Sequence, residues 1–137
     1  MRLTTTFFIC FILNFHNLSA QNATEDNAKK IIGEWTISKN ISTNLVNLGK
    51  TETVCNICPT ATFTNDQNVI IKNSDKTVET YFWKISSDKI TFVNMGAEKV
   101  KNETFYTDFD LKFTEEKDFV ELQLFDRTKR FTYILRK

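Results

Sequence analysis

Two cysteines three residues apart form the motif whose spacing most directly suggests chemistry. Cys55 and Cys58 make a Cys-x-x-Cys pattern, which serves as a redox dithiol, as half of a zinc site or as a short structural disulfide. A redox pair needs its first thiol at a helix N-terminus, but here Pro59 and a β-forming run follow. We expect a structural disulfide that pins a long connection to the next strand. A reduced or weakly redox-active pair is the alternative.

Carboxylates are the second group of side chains with catalytic potential. Asp108 and Asp110 fall on one face of a predicted strand, and Glu115 and Glu116 fall in a predicted turn. Two facing carboxyl groups serve as acid and base in glycoside hydrolysis. Acids that alternate along a strand or occupy turns ordinarily solvate the surface, so we expect no enzyme and no cofactor, and keep a carboxylate enzyme only as a minor alternative.

The first 20 residues have the pattern of an export signal. Arg2 supplies the positive start, Phe7 to Leu13 form a short apolar run, and small residues end the segment at Ala20. The apolar run is far shorter than the roughly 20 residues that span a bilayer. The sequence therefore predicts a signal peptide over residues 1–20, cleaved after Ala20, and one domain over residues 21–137 that is secreted or periplasmic.

Cleavage at that point changes the chemistry available to the chain. His16 is the only histidine, so the predicted mature chain has no imidazole, which excludes Ser-His-Asp and Cys-His catalysis and the ordinary His-containing zinc sites. Without Arg2, the 18 basic residues become 17, equal to the 17 acidic ones. A neutral chain lacks the basic surface that binds nucleic acid. We therefore expect no metal, no nucleic acid and no membrane span.

The elements that must position these residues are almost all strands. After one short predicted helix from Thr24 to Ile32, ended by Gly33, the sequence contains eight runs rich in β-branched and aromatic residues and separated by turn-forming clusters. The runs are Gly33–Ile41, Pro59–Thr64, Asn68–Lys72, Thr77–Ile85, Lys89–Asn94, Thr104–Phe113, Asp118–Phe125 and Arg130–Arg136.

Alternation within the runs indicates one buried and one wet face. Phe105, Phe109 and Phe113 alternate with polar residues, as do Val120 and Leu122, which is typical of antiparallel sheets. Short connections favour pairing in chain order. Eight strands without covering helices must close into a barrel or fold into a sandwich to protect their edges.

A short helix followed by Gly33-Glu34-Trp35 at the start of the first strand resembles the Gly-x-Trp signature of lipocalins. The resemblance implies an all-β fold, an eight-stranded antiparallel up-and-down barrel with a short N-terminal helix at its closed end. It also implies that the first and last strands pair, that Trp35 packs at the closed end, and that an arginine ending the last strand lies across it. Arg136 is the positional match.

A closer likeness is to small, exported lipocalin-like domains of Bacteroidetes. Those domains combine a signal peptide and a Gly-x-Trp strand with a Cys-rich turn, matched by Cys55 to Pro59, and a Tyr-x-Leu ending, matched by Tyr133 to Leu135. The resemblance covers roughly Ala28 to Lys137.

Inward aromatic residues define the predicted binding region. The candidates are Tyr81, Trp83, Phe92, Phe105, Phe109 and Tyr133. A barrel of eight strands either fills with side chains or keeps room for one small ligand. We expect a monomer that binds a small apolar molecule in its lumen. The alternative is a filled, non-catalytic barrel that binds other proteins through its rim loops.

Overall fold

The computed structural model describes residues 21–44, 46–94 and 106–137. The predicted signal peptide, Phe105 and the whole connection from β6 to Phe105 lie outside these described residues. Residues 21–31 are helical and are called α1 here. The strands that follow are β1 (Gly33–Thr43), β2 (Lys50–Val54), β3 (Thr60–Phe63), β4 (Asn68–Lys72), β5 (Val78–Ser86), β6 (Lys89–Asn94), β7 (Tyr106–Glu115), β8 (Val120–Asp126) and β9 (Phe131–Arg136).

Eight of these strands close into an antiparallel barrel. β1 pairs with β3, each strand from β3 to β9 pairs with the next, and β9 returns to pair with β1. All these pairings are antiparallel, for example Trp83 opposite Phe92 between β5 and β6. The predicted up-and-down barrel, with its first and last strands paired, is therefore confirmed.

β2 is the strand that the sequence did not predict. It lies inside the stretch from Ser42 to Cys58 that we expected to be a connection, and it pairs only with the outer half of β1. Its residues, Lys50 to Val54, are all exposed. With no buried face, the strand has no hydrophobic alternation from which it could be recognised.

β1 is long enough to serve two neighbours on one edge. Gly33 to Thr36 pair with β3, whereas Lys39 to Thr43 pair with β2. On its other edge β1 pairs with β9 through a bulge at Ser38, because Ile37 pairs with Leu135 while Lys39 pairs with the adjacent Ile134. An extra residue in one strand reverses which side chains face inward beyond it.

α1 covers the barrel end where β1 begins. The helix begins at residue 21, three residues before the predicted start at Thr24. Two hydrogen bonds join the helix to Ser87 in the β5–β6 turn. Thr24 Oγ1 accepts from the Ser87 amide at 2.8 Å, and Asn27 Nδ2 donates to the Ser87 carbonyl at 2.9 Å. Gly33 leaves the helix with φ +120°, a conformation that side chains disfavour.

The barrel core is apolar and is densest near α1. Its buried members include Ile31 from the helix and Trp35, Phe63, Trp83 and Leu122 from the strands. The alternation predicted for β5, β7 and β8 is observed, since their buried residues are spaced two apart. The closed end, defined here as α1 with the adjoining ends of the strands, is thus a packed core.

Candidate functional site

Trp35 is the centre of the closed end. Its side chain is 0% exposed, and its Nε1 donates a hydrogen bond to the Ile31 carbonyl at 2.6 Å. Phe113 packs against the indole with ring centroids 6.1 Å apart. Because the indole N–H satisfies a carbonyl at the end of α1, the tryptophan binds the helix to the barrel through both its ring and its polar group.

The cation that covers Trp35 is Lys137, not Arg136 as the resemblance implied. Lys137 Nζ lies 4.5 Å from the indole centroid and donates to the carbonyls of Lys30 and Ile32 at 2.7 and 3.0 Å. Burial lowers the pKa of Lys137, while the two carbonyl acceptors and the ring favour its charged form. Lys137 therefore caps α1 and covers the barrel at once.

Arg136 faces outward because residues alternate along β9. Leu135 is buried, so the next side chain points away from the core. Its guanidinium donates to Glu121 Oε2 through Nε at 3.1 Å and Nη2 at 2.9 Å, and it lies 4.5 Å from the centroid of Phe119. Lys137 is the residue after β9, and the Lys137 side chain lies over the closed end of the barrel.

A cavity of about 410 Å³ occupies the other end of the lumen. Its apolar wall comprises Ile37, Pro59, Ala61, Phe63, Val69, Ile71, Phe92, Phe109, Leu124 and Leu135. The end of the barrel that carries the β4–β5 and β8–β9 turns is called the rim. The strand registers place this cavity between the Trp35 core and the rim. A volume in this range suits one small organic molecule.

Aromatic side chains form a continuous part of the wall. Of the predicted lumen residues, Tyr81, Phe92, Phe109 and Tyr133 line the cavity, and their rings contact one another in that order at centroid distances of 6.1, 5.3 and 6.0 Å. Phe105 is outside the described residues.

Trp83 does not line the cavity, contrary to the prediction. It is 5% exposed, lies against Phe63 and donates from Nε1 to the Asn68 carbonyl at 3.1 Å. It is part of the packed core toward the closed end.

Polar groups line the cavity near the rim. They are Asn40, Asn73, Glu79, Thr107, Asp126 and Lys129. Glu79 and Lys129 are exposed, whereas Asp126 is only 5% exposed. Asn40 carries a buried Oδ1 atom without a hydrogen-bond partner among the described residues. An apolar wall with a polar rim accommodates a molecule that is apolar over most of its length and polar at one end.

Burial and neighbouring carboxylates raise the pKa values of two tyrosines that line the lumen. Burial raises the pKa of Tyr81, and its hydroxyl donates to Glu79 Oε2 at 2.9 Å, which raises the pKa further. Burial likewise raises the pKa of Tyr133, and the charge of Asp126 adds to that effect. Both phenols are therefore neutral hydrogen-bonding groups at physiological pH.

The cysteines lie beside a second, shallower groove at the rim. Cys55 and Cys58 form a disulfide, with their Cα atoms 5.1 Å apart, at the corner between β2 and β3. The groove holds about 570 Å³ and shares Ile37, Asn40 and Pro59 with the lumen wall. The disulfide thus fixes the segment that separates lumen from groove.

The sequence did not identify Asn40 and Asp126 as lumen residues. Asp126 belongs to a turn-forming cluster, which masks its position on the wall. Asn40 reaches the lumen because of the bulge at Ser38, which no residue pattern predicts.

Asp108 and Asp110, the predicted surface acids, have partners on neighbouring elements. Asp108 accepts a hydrogen bond from Thr91 at 2.7 Å, and Asp110 pairs with Arg127.

Within residues 21–44, 46–94 and 106–137, no group of three or more potential ligands among His, Cys, Asp and Glu is arranged to hold a metal ion. No helix in these ranges is long and apolar enough to cross a membrane.

The barrel and its lumen define a lipocalin-like fold. Among solved structures, the chain is similar to a lipocalin-like protein from Bacteroides uniformis ATCC 8492, with 12% sequence identity and a TM-score of 0.49. The similarity covers 78% of this chain and 97% of that one. No protein-family profile and no curated protein matches the sequence.

Proposed function

We propose that this chain binds a small, predominantly apolar molecule in its lumen. The observation that carries the proposal is the cavity of about 410 Å³, closed below by the Trp35 core and lined by apolar and aromatic side chains. Burial of apolar ligand surface supplies the affinity, and the polar groups at the rim orient the ligand.

A blocked lumen tests this proposal. Thr107 lines the cavity from β7 and is half-buried, so Thr107→Trp places a large ring in the binding space. Lys112→Trp is the matched control, because Lys112 is exposed on the outer face of the same strand. The probe is N-phenylnaphthylamine, a neutral apolar fluorophore.

Saturable one-to-one binding to the unaltered chain and to Lys112→Trp, weakened at least about tenfold in Thr107→Trp, supports the lumen site. Equal binding to both variants contradicts it, because the probe would then lie elsewhere. Circular dichroism and thermal unfolding verify that each variant keeps the fold.

The proposal includes export. We propose that residues 1–20 are removed and that the barrel acts as a monomer in the periplasm or outside the cell, as a small exported lipocalin-like domain of the Bacteroidetes type. Mass spectrometry of protein recovered from the periplasm of a Gram-negative host should show a chain beginning at Gln21. Light scattering should give the monomer mass. A chain that retains Arg2, or a dimer mass, contradicts the respective part.

A non-catalytic interaction module is the second candidate, and one observation favours it. β2 is an edge strand with every residue exposed, and exposed strand edges are sites where other chains add a strand. Failure of every apolar probe, together with a partner protein whose binding is lost in Val54→Lys, would favour this candidate over a lumen carrier. Both candidates are non-enzymatic.

A further inference from the structure

Asp126 is a buried carboxylate on the wall of the lumen. It ends β8, lines the cavity and is 5% exposed. Its Oδ1 accepts hydrogen bonds from the backbone amides of Thr128 at 2.9 Å and Lys129 at 3.0 Å. These two bonds fix the orientation of the carboxylate and hold the β8–β9 turn.

The charge of Asp126 has no counterion in the part of the chain described. Both hydrogen-bond donors are neutral amides, and no salt bridge of the described residues includes this carboxylate. Lys129 lines the same cavity, but its side chain is exposed and makes no such bridge. A buried charge without an opposite charge is costly, so a cation entering the lumen gains a partner that the protein itself does not supply.

The surroundings of Asp126 also favour a cation. Tyr133 contacts Phe109 and Phe131 at centroid distances of 6.0 and 4.9 Å, and the faces of aromatic rings attract ammonium groups. The charge of Asp126 contributes to the raised pKa of Tyr133. The carboxylate and the aromatic wall therefore lie close to the same part of the lumen.

Asn40 adds an acceptor on β1, the strand that pairs with β9. Its buried Oδ1 has no hydrogen-bond partner among the residues that the structure describes, and its backbone is paired in register with Tyr133. A buried acceptor without a donor loses hydrogen-bond energy, and a ligand N–H group would restore it. The remaining charged lining groups, Glu79 and Lys129, are exposed and opposite in sign, so the buried Asp126 decides which charge the lumen prefers.

We infer that the lumen selects a cationic amphiphile, an apolar molecule ending in an ammonium group, over a carboxylate such as a fatty acid. This inference rests on the proposed lumen function and names its ligand class. The apolar body packs against the aromatic wall, and the ammonium donates toward Asp126 and Asn40. A fatty-acid carboxylate in that place would meet a like charge.

Three ten-carbon ligands with different head groups test the selectivity. Decylamine, decanol and decanoate, all below their micelle concentrations, compete with bound N-phenylnaphthylamine on the purified protein. We expect decylamine to bind at least about tenfold more tightly than decanoate, with decanol between them, because the ammonium forms a charge-assisted hydrogen bond.

Asp126→Asn separates the charge of this residue from its role in the turn. The amide oxygen of asparagine still accepts the two backbone N–H bonds, so the turn is retained while the charge is lost. We expect the preference for decylamine over decanoate to fall to within about threefold. Asp118→Asn is the matched control, since Asp118 is exposed in the β7–β8 turn at the closed end, and it should keep the full preference.

The outcomes distinguish the inference from the function on which it rests. If neither the probe nor any of the three ligands binds, the lumen function fails and the inference with it. If the probe binds and decanoate competes as well as decylamine, the lumen function stands and the charge preference is overturned. Undiminished preference in a folded Asp126→Asn protein also overturns it. If that variant does not fold, Tyr133→Leu replaces it and should weaken the binding of decylamine more than the binding of decanol. Equal weakening of both ligands contradicts the inference.

Discussion

The two ends of the barrel differ in whether their buried polar groups have partners. At the closed end, the Trp35 N–H, the Lys137 ammonium and the carbonyls that end α1 satisfy one another. At the rim, within the described part of the chain, Asn40 Oδ1 has no hydrogen-bond partner and the buried Asp126 has no counterion. Satisfied groups stabilise a fold, whereas unsatisfied groups beside a cavity are available to a ligand. This difference is what we expect if stability is concentrated at one end and the proposed ligand recognition at the other.

Trp35→Ala should cause the largest loss of stability. The substitution removes a fully buried ring together with its hydrogen bond to Ile31, so we expect a loss of about 3–5 kcal/mol in the free energy of unfolding, measured in urea. Phe82→Ala is the control, because Phe82 is 40% exposed on the outer face, and it should cost under about 1 kcal/mol. Similar losses in both variants would contradict the role given to the closed end.

Removing the rim disulfide should have a moderate effect. The Cys55–Cys58 loop is very short, so the double variant Cys55→Ser, Cys58→Ser should lose at most about 2 kcal/mol of unfolding free energy. Thiol labelling of the unfolded, unreduced chain should detect neither Cys55 nor Cys58. A loss as large as that of Trp35→Ala would show that the rim contributes as much stability as the closed end.

Lys137→Met tests which cation completes the closed end. Methionine keeps the apolar stem but loses both hydrogen bonds to α1 and the contact with the indole, and we expect a loss of about 1–2 kcal/mol. Arg136→Met removes only the outward contacts with Glu121 and Phe119 and should cost about half as much or less. A larger loss of stability in Arg136→Met than in Lys137→Met would instead support the role that the lipocalin resemblance implies for Arg136.

Asp126→Asn should leave stability almost unchanged. The hydrogen bonds to Thr128 and Lys129 survive but lose their charge assistance, and this loss offsets the removed cost of an uncompensated buried charge. We expect a change of under about 0.5 kcal/mol in thermal or urea unfolding. A large loss would mean that the charge itself supports the fold, and the contrast between the two ends would then fail.

Glu121 provides a small effect that depends on pH. Burial alone would raise the pKa of Glu121, but hydrogen bonds from Gln123 and Arg136 outweigh it and lower the pKa. A lowered folded-state pKa stabilises the fold above the ordinary value of about 4.3, and this contribution disappears as pH falls through the folded-state pKa. Glu121→Gln should cost about 0.5 kcal/mol at neutral pH and nothing in strong acid. A difference that is constant with pH would contradict this explanation.

Most of the barrel could be predicted because its strands alternate between a buried and a wet face. The runs ending in Phe113, Phe125 and Arg136 each match a barrel strand to within a few residues. β2 could not be predicted, since all of its residues are exposed. Its pairing depends on the outer half of β1, which extends beyond β3.

The site was less predictable than the fold. Alternation identified Phe92, Phe109 and Tyr133 as lumen residues, but not how far along the barrel axis the packing extends, so Trp83 was assigned to the lumen although it belongs to the core. Asn40 depends on a bulge, and Lys137 acts from beyond the last strand. Backbone irregularities and chain ends carry no periodic signal.

The bulge at Ser38 makes the lining of the rim tolerant of one change in length. If Ser38 were lost, Ile37 and Lys39 would become consecutive residues opposite the consecutive residues Leu135 and Ile134, and the ladder would be regular. Asn40 would still lie opposite Tyr133 and face the lumen. In a strand without a bulge, the same loss turns every later side chain to the other face. A single codon of β1 can thus be deleted in one inherited step while the lumen keeps the same side chains.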